Sequence, residues 1–116
     1  MSIRVHHNAF KNRTDAEAAV VRSGLIRMEL DVLPVENTSH WHDFHAELYI
    51  LDGDLHFTDV AGGKTHVCRA GSHVVVPRWA LHAEMSRGGY HIIFGTSVPA
   101  SEFGDPVNRA PEDLKR

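Results

Sequence analysis

Glycine and proline cut this chain into short pieces: Gly24, Pro34, Gly53, Gly62, Gly63, Gly71, Pro77, Gly88 and Gly89. This punctuation constrains the fold more than any other feature. Neither residue suits the interior of a long helix, so the pieces between them must be short elements joined by turns. Ile26, Met28, Leu30 and Val32 alternate with Arg27, Glu29 and Asp31, the period of a half-buried strand that Pro34 ends. The stretch His40 to Leu51 reads as a second strand, turned by Asp52-Gly53-Asp54. "LHFTDV" and "KTHVCR" flank "AGG" as a hairpin does. "HVVVP" is a β-branched run of the kind buried on both faces, and "LHAEM" and "YHIIFG" follow as two more strands, split by "SRGG". Many short strands at regular spacing predict an all-β sandwich or barrel.

Two regions differ. "NRTDAEAAVVRSG" predicts a short helix, with Thr14 as its cap, Glu17 completing a capping box and Gly24 as its stop. The tail "SVPASEFGDPVNRAPEDLKR" is rich in Pro, Gly and charge and predicts irregular structure, packed on the body through Phe103.

With 116 residues the expectation is one domain. A formal net charge of -3 gives no reason to expect nucleic acid or an anionic membrane as a partner. No apolar run approaches the ~18 residues of a membrane span. The start "MSIRVHHNAF" lacks the apolar core of a secretory signal, and one cysteine, Cys68, forms no internal disulfide. A reduced, soluble, cytoplasmic protein is the expectation.

Ten histidines are unusual for this length. Imidazole is the commonest metal ligand, so their spacing matters. On a strand, His40 and His42 project from one face, roughly 7 Å apart, and converge on one ion. Catalytic metal sites draw about three protein ligands and leave a position open. His82, beyond a buried strand and a proline turn, is the best third candidate.

At these residues a resemblance appears. "HWHDFHAELYILDG" followed by "GSHVVVPRWALHAEMS" resembles the two signature motifs of the cupin superfamily. The first motif is a His-x-His pair, a Glu three or four residues on, and a strand ending in Gly. The second is Gly, five residues, Pro-x-Gly, two residues, His, three residues, Asn. Gly71, Pro77 and His82 fall in register with it. The resemblance implies a single cupin domain over residues 1–116: an antiparallel jelly-roll (double-stranded β-helix) barrel over about 25–96, a short N-terminal helix, and an irregular tail over 97–116. It implies one divalent metal ion (iron, manganese, nickel or zinc) held by His40, His42 and His82.

The sequence departs from the motifs in three places. Trp79 stands at the second Gly and predicts a different turn or a large aromatic at the barrel mouth; Ser86 stands at the Asn. In the Glu slot, counting forward from His42 allows Glu47, whereas counting back from Gly53 gives Ala46. An unbroken strand turns His40, His42, Phe44, Ala46, Leu48 and Ile50 inward. A bulge between His42 and Glu47 turns His45, Glu47, Tyr49 and Leu51 inward instead and makes Glu47 a fourth ligand.

His45 and Asp43 read as solvated or supporting groups, Asp43 as a carboxylate holding a ligand imidazole. Glu84, Tyr49 and His91 are weak candidates for proton transfer. Trp79 and Tyr49 read as core or rim aromatics, and Cys68 as an inert buried thiol. The functional expectation is a metal-dependent enzyme on a small organic molecule, with the ion as Lewis acid or dioxygen activator in dioxygenase, isomerase or lyase chemistry. The competing expectation is a non-catalytic cupin that binds or senses a small ligand or metal. A homodimer is expected, since a small sheet fold exposes edges.

Overall fold

The computed structural model describes residues 2–114. Nine strands run through them: β1 (Arg4–His6), β2 (Ile26–Val32), β3 (Val35–His40), β4 (Ala46–Gly53), β5 (Leu55–Asp59), β6 (Lys64–Cys68), β7 (His73–Val76), β8 (His82–Ser86) and β9 (Tyr90–Thr96). One α-helix, α1 (Arg13–Ser23), lies between β1 and β2, and the tail, expected to be irregular, holds two short 3-10 helices, Ala100–Glu102 and Pro111–Asp113. The strands form two sheets, ordered β1-β7-β4-β9-β2 and β3-β8-β5-β6, and every ladder is antiparallel. No ladder joins one sheet to the other among the described residues, so the architecture is two facing sheets. The expected β5–β6 hairpin is present, with Leu55 opposite Cys68 and Asp59 opposite Lys64.

The core lies between the sheets. Ala46, Leu48 and Ile50 of β4, Val74 and Val76 of β7 and Ile92 of β9 face Leu55, Phe57 and Cys68 of the other sheet. Each of the Val, Leu, Ile and Phe side chains among these, fully buried, stabilises the fold by about 1.5–3 kcal/mol in transfer free energy. The outer face of the first sheet is covered by α1, whose Ala16 and Val20 pack on Tyr49 and Ile93. Around that contact Arg13, Glu17, Arg27, Glu29 and His91 form a chain of exposed ion pairs, individually weak.

The structure corrects four expectations. Helix α1 begins at Arg13, capped by Asn12, whose Oδ1 accepts the Asp15 N–H at 2.9 Å. Asn is as good a cap as Thr, and it comes earlier in the chain. Gly24 stops the helix with φ 74°, as expected. The single strand expected from His40 to Leu51 is two strands, because residues 41–45 cross from one sheet to the other. Strands β1 and β3 were not expected: "VENTSH" is polar, since β3 is an edge strand, and β1 spans only three residues. Finally, Ile26 and Leu30 are 40% and 39% exposed, because β2 is also an edge strand.

Gly53 marks the crossing from β4 to β5. It has φ 84°, and a Cβ there would lie 2.3 Å from the Gly89 carbonyl oxygen. Both the left-handed backbone and the close approach demand glycine.

Candidate metal centre

Strands β3 and β8 pair with Asn37 opposite Glu84 and His40 opposite His82. Three steps on β3 match two on β8, so β3 carries an extra residue between Asn37 and His40. This bulge re-aims the chain just before His40 and presents the Thr38 carbonyl to the His40 ring, whose Nδ1 lies 2.7 Å from it. One of the two expected alternatives placed a bulge between His42 and Glu47; the bulge lies before His40 instead.

His42 sits in the crossing segment, where Trp79 N–H donates to its carbonyl at 3.0 Å. Its Nδ1 lies 2.9 Å from the Val107 carbonyl, and the Nδ1 of His82 lies 2.9 Å from the Ala80 carbonyl. A carbonyl oxygen only accepts, so each Nδ1 carries a hydrogen, and in the neutral ring Nε2 is the nitrogen that holds a free lone pair. The ring centroids of His40 lie 4.3 Å from His82 and 5.0 Å from His42, and those of His42 and His82 are 5.0 Å apart. One nitrogen from each lies within 4.8 Å of the other two.

The centre is dry. His40 and His82 are 4% and 2% exposed. The Phe57 ring stacks on His82, and the Phe44 ring stacks on His42. Phe103 stacks in turn on Phe44, with centroids 4.1 Å apart. The tail is therefore packed through Phe103, as expected, and it also supplies the Val107 carbonyl. Trp41 fixes the tail further: Nε1 donates to the Ala110 carbonyl at 2.8 Å, and its backbone pairs with Arg109.

Glu84 reaches the cluster from the β8 position next to His82 on the same face. Its Oε1 accepts from Asn37 Nδ2 at 3.0 Å and lies 3.4 Å from His40 Nε2, without the alignment of a hydrogen bond. His40 Nε2 is thus a buried nitrogen with no hydrogen-bond partner, and such groups are rare without a role. Burial opposes charge on His40, but the Glu84 carboxylate and the Thr38 carbonyl outweigh it and raise its pKa. Burial lowers His42, and it pushes His82 down to about 4. Burial also opposes charge on Glu84, yet the facing imidazoles and Asn37 bring its pKa below the ordinary carboxylate value.

The other expected site residues lie elsewhere. Ala46, not Glu47, is in the inward row of β4, with Leu48 and Ile50. Glu47 lies on the opposite face of the sheet. Its carboxylate takes His45 Nε2 at 2.8 Å and His73 Nε2 at 2.7 Å. The structure does not bring it to His40, His42 and His82. The reason is strand period: with no bulge between Ala46 and Leu48, alternate residues of β4 face opposite ways.

Tyr49 is on that outer face too, stacked on His73 at 4.3 Å, and burial pushes its hydroxyl up to about 12. His91 is bound to Glu29 and Asp31 on the outer face of β9. Asp43 holds no ligand imidazole. It accepts from Arg78 Nε and Trp79 Nε1 at 2.9 and 3.1 Å. Cys68 is fully buried with its pKa raised to about 11, an inert thiol. The carbonyls that orient the three rings escaped sequence reasoning altogether, because a backbone group leaves no residue signal.

No protein-family model matches the chain, and no curated protein sequence matches it. Solved structures do. A cupin described as RmlC-like from Shewanella frigidimarina is 21% identical, over 66% of this chain and 69% of its own, with a TM-score of 0.54. A DUF861 family protein from Thermotoga maritima is 18% identical, over 79% of this chain and 96% of its own, also with a TM-score of 0.54. A protein from Neisseria meningitidis is 23% identical, over 60% of this chain and 70% of its own, with a TM-score of 0.51. At these identities the likeness is one of fold. Two facing antiparallel sheets and these matches together establish that the chain has the cupin fold.

Proposed function

We propose that this protein is a metal-dependent cupin acting on a small organic molecule, with a divalent ion held by Nε2 of His40, His42 and His82. The observation that carries the reading is the set of three Nδ1 hydrogen bonds to backbone carbonyls. They fix the Nδ1 hydrogen in all three rings, which leaves Nε2 as the ligand atom, in a cluster where one nitrogen of each ring lies within 4.8 Å of the others. Outer partners of this kind orient imidazole ligands and raise their basicity. The donor set fits the group: the three rings, His40 once it gives up its proton, are neutral ligands, and the unpartnered His40 Nε2 gains a partner.

When bound, an iron, manganese, nickel or zinc ion supplies Lewis acidity, or a centre for dioxygen chemistry, at positions the protein leaves open. The chain's own residues do the rest. Phe44, Phe57 and Phe103 exclude water around the rings. Glu84 Oε1, beside His40 Nε2, is the group placed to accept and return a substrate proton. The reaction class lies among dioxygenase, isomerase and lyase.

Loading the protein with Fe(II), Mn(II), Ni(II) and Zn(II) in turn tests the reading. One ion per chain, lost in His42→Ala, supports it; no binding of any of the four overturns it.

The deep burial of His40 and His82 favours a second reading, in which the metal or a small ligand is held and sensed without turnover. Water-proton relaxation of Mn(II)-loaded protein separates the two. Enhancement shows solvent reaching the ion, as catalysis requires; its absence favours the sensing role.

A further inference from the structure

Trp79 combines three features that do not belong together in a residue serving only the fold. Its φ is 70°, in the left-handed region where a bulky side chain is strained. It is 51% exposed, so burial of the indole does not offset that strain. Yet the ring is held firmly. Nε1 donates to Asp43, and the Arg78 guanidinium lies 4.8 Å from the ring centroid. Glycine would make the same turn without strain. The turn's links to the metal centre also need no indole, because they run through the Trp79 N–H to the His42 carbonyl and through the Ala80 carbonyl to His82.

The indole lines a cavity of about 660 Å³ outside the histidine cluster, with Ile3, Leu81 and Leu114 among its apolar walls. This is the size of a small-molecule site, and an apolar lining with a few polar groups is its usual character. The charges select the ligand. Arg78 is already paired with Asp43 at 2.9 Å, and Asp59 also lines the cavity, so among the described lining residues no unpaired cation greets an anion. Asp59 Oδ1 accepts the Gly62 N–H, which leaves Oδ2 without that partner.

We infer that this cavity is a binding site for an uncharged, flat aromatic molecule carrying a hydroxyl. Its ring stacks on Trp79, and its hydroxyl donates to Asp59. The inference does not depend on the metal reading, and its test uses metal-free protein, so either can fail alone.

The experiment is methyl NMR of metal-free protein titrated with 2-naphthol. The expected result is saturable shifts at Ile3, Leu81 and Leu114. Affinity falls at least tenfold in Trp79→Gly, which keeps a dispersed, folded spectrum because it relieves the left-handed strain. Ala61→Trp places a ring in the same cavity from an exposed position, and it abolishes the shifts even if Trp79→Gly does not fold. Absence of saturable shifts in the wild-type protein overturns the inference. So does unchanged affinity in folded Trp79→Gly or in Ala61→Trp.

Discussion

His40 and His82 are direct partners across the β3–β8 ladder, and their rings meet 4.3 Å apart although 42 positions separate them in the chain. The ladder sets the distance, the bulge before His40 sets the angle, and the carbonyls of Thr38 and Ala80 set which nitrogen each ring offers.

Acid should release a bound ion, and His40 should govern the release. Its pKa is raised above the ordinary imidazole value, whereas those of His42 and His82 are lowered, so the latter two are already neutral near pH 7. Binding displaces a proton from His40, and affinity rises with pH through the raised pKa of that ring. Calorimetry in buffers of different ionisation enthalpy should find about one proton or less released per ion near neutral pH.

Glu47→Gln should leave metal affinity unchanged and weaken the fold. It removes a carboxylate that binds two imidazoles on the outer face, at a cost of roughly 2 kcal/mol by denaturant unfolding. The pH dependence has a definite sign. Burial raises the Glu47 pKa, but His45 and His73 outweigh it and the net shift is downward. The wild-type contribution is therefore present above the ordinary carboxylate pKa and lost as pH falls through the lower folded value. His73, lowered chiefly by burial, adds acid sensitivity of the same sign below its ordinary 6.5. The Gln variant should lose the first of these and show more of the second, because the carboxylate that holds the His73 pKa up is gone.

Much of this was legible in the sequence, for a physical reason. Gly53, Gly71 and Pro77 punctuate the chain where strands end, and the alternation of Phe44, Ala46, Leu48 and Ile50 needs only a period of two. The unbroken-strand alternative gave the inward row of β4 correctly. The crossing at residues 41–45 was hidden, because alternation continues through it and nothing in "HWHDFH" resembles a turn. The bulge between Asn37 and His40 was hidden too, since it depends on the register of β8.

Phe103→Ala should loosen the metal centre without touching a ligand. It breaks the stack from Phe103 through Phe44 to His42 and frees the tail that supplies the Val107 carbonyl. Affinity should fall by roughly 10–100-fold, the usual effect of losing an outer partner. His42→Ala should exceed that in the same titration.

Gly53→Ala should be among the most damaging single-methyl changes in the chain. The added Cβ meets the backbone of Gly89 and Tyr90 at 2.3 and 2.8 Å, where no side chain can swing away, and φ is 84°. Thermal and denaturant unfolding should show a loss of about 3 kcal/mol or more.

The most direct test of the central claim is long-range ¹⁵N–¹H NMR of the imidazole nitrogens as Zn(II) is added. The account predicts that Nε2 of His40, His42 and His82 moves to a metal-bound shift while Nδ1 of each ring stays protonated. His45 and His73 should be unaffected. Zinc that leaves those three Nε2 signals in place, or that binds through Nδ1 or at His45 and His73, would contradict it.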